Sequence, residues 1–368
     1  IIILLLTNLR LWQDREIFNR NKEKLEFELL ILKAVQKIKE QLLLRKDTEL
    51  ILTPQELENA KEIQNMLINK TYTPSPYRVS KIFDGSNKKE RTIYKPEFYP
   101  DQIIHWALML QLEPIICKGM YYHCCGSVPS RGSSQGHKFI ERWLKTDKKH
   151  TKYCLKLDVR KFYQSINHNS LKLAFRRKIK DQNVLWLIDS IVDSCEDGLP
   201  IGNYTSQWFA NFLLQDLDHH IKENLKVKYY VRYIDDMVLF GNNKRKLHKV
   251  KKEIEQILNT YSLTIKKNWQ VFRVDDRGVD FLGFRFFRHK TILRKRNALR
   301  IKRRIKKIKN KAKLNYKDAT AIMSYWGWIK RSNSFNFYNN NIKKYISIKK
   351  VRKFISVYNK RQNAIRGV

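Results

Sequence analysis

Apolar positions recur at helical spacing through the first part of the chain, as in Leu29, Leu32, Val35 and Ile38, and predict a helical extension over residues 1–70. Within it Thr53-Pro54-Gln55-Glu56 reads as a helix start, with a capping hydroxyl, a proline in the first turn and an acid near the positive helix end. After Pro74-Ser75-Pro76 the pattern changes. Tyr77 to Phe83 and Arg91 to Tyr94 predict two strands around a turn at Asp84-Gly85-Ser86-Asn87. A helix is expected from Gln102 to Leu112, ending near Pro114, and a Gly/Ser loop with Arg131 from Gly126 to Gly136. From Thr151 strands and helices alternate. Tyr153 to Asp158 is strand-like, Tyr204 to Leu225 helical, Lys228 to Phe240 a hairpin interrupted at Ile234-Asp235-Asp236, and Leu247 to Tyr261 helical. Asp280 to Phe287 predicts a further strand pair, and the chain beyond Arg288 reads as helical and basic. The mixture implies an α+β fold.

Charge narrows the picture. The 368 residues hold 75 Lys+Arg against 35 Asp+Glu, a formal net charge of +40, and self-repulsion of that size calls for a polyanionic partner. With 42% apolar residues there is ample material for a core, so a disordered tail is excluded. No stretch reaches the ~20 apolar residues of a membrane span. The opening Ile1 to Leu6 is a poor signal peptide, and five cysteines without a CxxC pair or zinc-ligand spacing fit reduced thiols in a cytoplasmic protein.

The chemistry concentrates in three acids. Asp235-Asp236 lies between Tyr229-Tyr230-Val231-Arg232 and Met237-Val238-Leu239-Phe240, at the tip of an apolar hairpin. Two adjacent carboxylates there repel one another, and a divalent cation with its preference for hard oxygen ligands resolves the conflict. Asp158 ends another apolar strand. If the two strands are neighbours, three carboxylates meet at one sheet edge, the apparatus of two-metal phosphoryl transfer. An isolated Asp-Asp pair is ordinarily just a turn; the flanking strands and the third acid set this one apart.

Together these segments resemble the reverse transcriptase family, in the family's order, from about residue 75 to 300. Leu157-Asp158-Val159-Arg160-Lys161-Phe162-Tyr163 is similar to its first catalytic motif. Leu199-Pro200-Ile201-Gly202-Asn203-Tyr204-Thr205-Ser206-Gln207 resembles the template- and nucleotide-binding motif. Tyr233-Ile234-Asp235-Asp236 resembles the hallmark tetrapeptide, and Phe281-Leu282-Gly283-Phe284 the primer-grip hairpin. The resemblance implies a right-hand polymerase fold: the N-terminal extension, fingers over 71–150, a palm over 151–290 with inserted finger helices at 165–197, and a basic helical thumb over 291–368. It implies RNA-directed DNA synthesis with two Mg2+ ions, Mn2+ being able to substitute, on Asp158, Asp235, Asp236 and the Val159 carbonyl. Tyr163 becomes a steric gate against a ribose 2′-hydroxyl. Lys89 and Arg91 would meet the incoming dNTP, beside Ile201, Gly202 and Gln207; Gly202 would permit close approach to the base pair. Phe281, Leu282 and Gly283 would form the primer grip, and Arg303, Arg304, Lys306 and Lys307 would track phosphates from the thumb. Either Lys266 or Lys267 could be the lysine that protonates pyrophosphate; the sequence does not separate them.

Within the family the resemblance is nearest to the reverse transcriptases of diversity-generating retroelements. Most family members have Gln before the glycine and Pro after the serine, where this chain has Ile201 and Gln207. Trp269-Gln270-Val271, Arg277-Gly278 and Ser324-Tyr325-Trp326-Gly327 point the same way. That subgroup implies cDNA synthesis error-prone at adenines (mutagenic retrohoming), a bacterial or phage origin, a structured template RNA, nascent cDNA and a basic pentameric accessory variability protein as partners. The alternatives are a group II intron-like or retron-type reverse transcriptase, or a non-catalytic RNA-binding protein on the same scaffold. No ribonuclease H carboxylate layout, zinc-finger endonuclease or long maturase region is visible.

Overall fold

The computed structural model describes residues 26–37, 53–84, 89–311 and 313–365. Ile1 to Leu6, Ile38, the tip of the Asp84–Asn87 turn and the side chain of Lys89 lie outside the described residues. Residues 26–37 are helical (α1) and bury Ile31, Ala34 and Val35. Pro54–Ile68 (α2) starts with the expected cap made reciprocal: Thr53 Oγ1 accepts from the Glu56 amide at 3.3 Å, and the Thr53 amide donates to Glu56 Oε2 at 2.8 Å. Arg78–Asp84 (β1) and Lys89–Lys95 (β2) pair antiparallel, as the two β-rich runs predict.

Ile103–Lys118 (α3) runs through Pro114 instead of stopping there. Its buried Ile104, Leu108, Leu112 and Ile116 tie the last turn to the core, and that burial offsets the roughly 3 kcal/mol an interior proline costs. Ser133–Thr146 (α4) begins inside the stretch expected to be loop and buries Ile140, Trp143 and Leu144. The central sheet follows. Tyr153–Asp158 (β3), Tyr229–Tyr233 (β4), Asp236–Gly241 (β5) and Gln270–Arg273 (β6) form an antiparallel sheet in the order β4-β5-β3-β6. Between β3 and β4 come His168–Lys178 (α5), Gln182–Val192 (α6) and Tyr204–Leu213 (α7). The single helix expected from Tyr204 to Leu225 is broken at Leu214, whose ψ of 1° leaves helical geometry. Just past the break, Gln215 donates to the Ile116 carbonyl at 2.7 Å.

Successive residues of the sheet alternate between two cores, the period-two signature of a strand covered on both sides. Leu155, Leu157, Tyr230, Met237 and Leu239 enter the core shared with α1 to α3 and α5 to α7. Cys154, Val231, Val238 and Phe240 enter a second core, built with α4 and the C-terminal region. Lys244–Thr260 (α8) packs across β3, β5 and β6.

Val279–Phe281 (β7), Phe284–Phe286 (β8) and Thr291–Leu293 (β9) make a separate antiparallel sheet. The third strand lies where only helix was expected. Its β-forming Thr-Ile-Leu run pairs Leu293 with Phe284 and Thr291 with Phe286 before the helices begin. Lys295–Lys309 (α9), Tyr316–Lys330 (α10) and Ile348–Ile365 (α11) complete the chain. On α9, Ile301, Ile305 and Ile308 face inward at helical spacing while Lys302, Arg303, Lys306 and Lys307 remain exposed. A strand hairpin, a sheet with carboxylates at one end and a basic helical segment make the α+β right-hand arrangement that the sequence implies.

Candidate active site

Antiparallel register settles where the acids meet. Asp158, the last residue of β3, lies directly opposite Asp236, the first of β5. Tyr233 pairs with Asp236 across the β4–β5 hairpin, leaving Ile234 and Asp235 as its two-residue turn. All three carboxylates therefore share one end of the sheet. Burial first, then the adjacent Asp158 carboxylate, pushes Asp235 up to about 7. Burial is also the main cause raising Asp236 to about 6, against the opposing pull of Lys156. Lys156 Nζ is 3.5 Å from Asp236 Oδ2, and Lys266 Nζ is 2.6 Å from Asp158 Oδ2. Of the two candidate lysines, Lys266 reaches the carboxylates and Lys267 is exposed.

The donor set suits a hard divalent cation. Asp158 Oδ1 and Asp236 Oδ1 are buried and have no hydrogen-bond partner, and such oxygens carry the full cost of lost solvation until something binds them. Among the described residues no three acidic, His or Cys side chains are already closed into a cage. Mg2+ needs none, because it keeps several waters and takes one or two carboxylates together with substrate phosphates. Val159, the expected carbonyl donor, is fully buried and bridges to Ile265.

A buried network that sequence reasoning passed over holds the hairpin turn. Arg232 is wholly buried and meets Asp218, also wholly buried, at 2.5 Å. Its Nη1 donates to the Ile234 carbonyl at 2.9 Å and to Asn211 Oδ1 at 2.8 Å, and Asn211 Nδ2 donates to the Gly126 carbonyl at 2.7 Å. Tyr230 donates its hydroxyl to Asp218 at 2.6 Å. Breaking such a buried pair by removing one partner costs about 3–5 kcal/mol. The turn itself is strained, since Ile234 is β-branched and sits at φ 59°. Gly126 permits it: a Cβ there would lie 2.5 Å from the Ile234 amide nitrogen. The one visible signal was an arginine inside an otherwise apolar strand.

Of the other expected site residues, Tyr163 feels the carboxylates directly. Tyr163 is half-buried in the short helical turn Phe162–Ser165, and burial followed by the Asp235 charge raises its phenol. Its carbonyl accepts from the Leu199 amide at 2.7 Å, and Gly198, at φ 62°, fits only because a Cβ would lie 2.2 Å from that carbonyl. Gly202 makes a close approach within the chain itself. At φ 133° its missing Cβ leaves room for the Tyr94 carbonyl, and the Tyr94 amide donates to the Ile201 carbonyl at 2.8 Å. The nucleotide motif is thus stitched to the β1–β2 hairpin by backbone. Ile201 is half-buried and Gln207 exposed. Arg91 is exposed midway along β2, opposite Ile82.

Phe281-Leu282-Gly283-Phe284 forms a two-residue hairpin with Leu282 at φ 49° and Gly283 at φ 85°, the geometry that matches strand twist. Lys156 Nζ hydrogen-bonds the Asp280 carbonyl, connecting this hairpin to the carboxylates. On α9, Arg303, Lys306 and Lys307 are exposed as expected. Arg304 differs from them: its guanidinium is ion-paired with wholly buried Asp318 of α10, so it ties two helices together.

Carboxylates at the end of an antiparallel sheet, with Tyr163 and the β7–β8 hairpin linked to them, have the arrangement of a polymerase palm. The chain belongs to the reverse transcriptase family, whose description, reverse transcriptase (RNA-dependent DNA polymerase), matches residues 87–286. Its relatives include the retron Ec73 reverse transcriptase of Escherichia coli, 27% identical over 206 residues, covering 51% of this chain and 62% of that one. Protein YkfC of Escherichia coli strain K12 is 23% identical over 275 residues, 62% of this chain and 71% of the relative. The retron Se72 reverse transcriptase of Salmonella heidelberg is 23% identical over 197 residues, 52% and 49%. The chain thus spans less than two thirds of either retron enzyme. Among solved structures it is similar to telomerase from Candida albicans in complex with a telomeric RNA fragment, at TM-score 0.46 and 12% identity, over 73% of this chain and 55% of the other. Among the described residues no helix is long and apolar enough to cross a membrane.

Proposed function

We propose that this chain copies an RNA template into DNA by two-metal nucleotidyl transfer. The observation that carries the reading is the meeting of Asp158, Asp235 and Asp236, two of them with buried, unpartnered oxygens and two with raised pKa values. These residues and the Val159 carbonyl would hold two Mg2+ ions, which Mn2+ could replace, and the charge so supplied would lower the pKa of the attacking 3′-hydroxyl and offset that of the departing pyrophosphate. The chain's own groups do the rest. Arg91, with Lys89, grips the dNTP phosphates by charge-assisted hydrogen bonds, Tyr163 closes the space of a 2′-hydroxyl, and Gly202 with Gln207 lines the nascent pair. Leu282 and Gly283, between Phe281 and Phe284, seat the primer end, and Arg303, Lys306 and Lys307 follow the duplex phosphates. The division into extension, fingers, palm and thumb at residues 70, 150 and 290 belongs to the same reading. Primer extension on an RNA template tests it: Asp235→Asn with Asp236→Asn abolishes synthesis and leaves RNA affinity within about twofold, since neutral isosteres remove no phosphate-binding cation. Synthesis by that double variant refutes the assignment of the carboxylates, and a parent protein that binds RNA but extends no primer favours an RNA-binding protein on a polymerase scaffold.

For the subgroup, two readings have separate support. Ile201 and Gln207 favour a diversity-generating retroelement enzyme, error-prone at adenines and working in the cytoplasm of a bacterium with a pentameric accessory protein. The likeness to retron enzymes favours a retron-type enzyme. An aliphatic side chain at 201 cannot supply the directional hydrogen bond of a glutamine, worth ~0.5–1.5 kcal/mol or at most about a factor of ten in alignment. Ile201→Gln therefore lowers the adenine error frequency of the cDNA by up to about tenfold. Unchanged error spectra remove residue 201 from the account of fidelity.

A further inference from the structure

At the far end of β3 from the carboxylates lies a second charged feature that the polymerase reading does not use. Lys148, Lys149, Lys152, Arg273, Arg288 and Lys290 line an open cleft of ≈ 770 Å³ together with Phe287. The register fixes its position. Arg273 pairs with Tyr153, the first residue of β3, whereas Asp158 is the last, so at about 3.3 Å per residue the two sites are roughly 17 Å apart. Against six cations the lining has a single acid, Asp275.

That acid is already committed. It takes the Arg288 guanidinium and lies 3.9 Å from Arg273 Nε. Arg288 is anchored further by Thr151 Oγ1 at 2.9 Å, so one face of the cleft is rigid. Lys148, Lys149, Lys152 and Lys290 are exposed, and among the described residues none has a carboxylate within ion-pair distance. Lys152 and Lys290 instead lie 5.6 Å from the rings of Tyr153 and Phe287. Clustered cations around a fixed arginine, with an aromatic ring in the wall, suit a phosphodiester backbone whose sugar or base can rest on the ring. A helical RNA presents phosphates in a regular row, which a cleft open on one side can follow.

We infer that this cleft is a second RNA-binding site, which takes the phosphate backbone of a folded RNA stem outside the template–primer path. Such a cleft takes phosphate whether or not the carboxylate cluster polymerises. The probe is a labelled RNA hairpin without a single-stranded template, added to the full chain already saturated with a short RNA–DNA template–primer. The parent protein binds the hairpin in that complex. The exposed triple variant Lys149→Ala, Lys152→Ala, Lys290→Ala binds it about tenfold or more weakly, with a log–log salt slope smaller by roughly 2–3, one phosphate contact being lost per lysine. Extension of the short template–primer stays within about twofold of the parent, because that duplex does not use the contacts removed. A control triple on α8, Lys244→Ala, Lys249→Ala, Lys252→Ala, carries the same charge loss and keeps hairpin affinity. The inference fails if hairpin and template–primer exclude one another, if the cleft variant binds like the parent, or if the control loses as much. It fails equally if the cleft variant loses only its binding to anionic phospholipid vesicles, which assigns the cleft to a membrane surface.

Discussion

Asp235 and Asp236 set the pH behaviour of the site. Both are raised, to about 7 and about 6, so the folded chain holds protons there that the unfolded chain has already released above pH ~4. Stability without divalent ions therefore falls as pH rises from about 4 through 7, since charging these groups is disfavoured only in the folded state. Thermal melting in chelator across that range shows this decline, and Asp235→Asn flattens it. Added Mg2+ raises the melting temperature more at pH 8 than at pH 5.5, because at low pH it must displace protons. A melting temperature independent of pH in chelator contradicts the raised values. The acids themselves were legible from the chain because like charges at an apolar hairpin tip demand a reason. Arg232 was less so: its role depends on Asp218 and Asn211, which the helices before β4 bring to it from 14 and 21 residues away.

At the scale of elements, the β4–β5 turn is held from outside the hairpin by Gly126 and from within it by Arg232 of β4, which donates to the Ile234 carbonyl. Gly126→Ala puts a methyl group 2.5 Å from the Ile234 amide and moves Asp235. Polymerisation on an RNA template then falls by about 10²-fold, the penalty of a misplacement near 1 Å, while far-UV circular dichroism remains that of the parent. An unimpaired variant shows that the turn tolerates another path. Strands with period-two patterning and caps with local chemistry, such as β3 and Thr53, were readable because their causes lie within a few residues. The helix running through Pro114, the strand Thr291–Leu293 and the start of α4 at Ser133 were not, since each is decided by packing against segments distant in sequence. Site residues divided likewise. Gly202 was recognisable as a close-approach glycine, but its neighbour, the Tyr94 carbonyl, depends on how the β1–β2 hairpin docks.

Over the whole molecule the surplus of +40 makes the RNA affinity that the proposed function requires largely electrostatic. Affinity for an RNA–DNA duplex falls by about 10³-fold or more between 50 and 200 mM salt if six or more phosphates are neutralised. Lys306→Ala with Lys307→Ala reduces the log–log slope by about 1.5–2, whereas Arg304→Ala leaves the slope near its parent value and lowers stability, because Asp318 is buried beneath it. Titrations across that salt range distinguish the two; equal slope changes contradict the separation of Arg304 from its neighbours. The Leu282–Gly283 tip bears on a larger motion. Its Gly283 carbonyl accepts from the Arg294 amide at 3.0 Å and from Asn297 Nδ2 at 2.9 Å, and the Trp328 ring lies where a side chain on residue 283 would project. The tip is therefore buckled to the first turn of α9 and to α10. Under the proposed function, any displacement of those helices would carry the seat of the primer end with it.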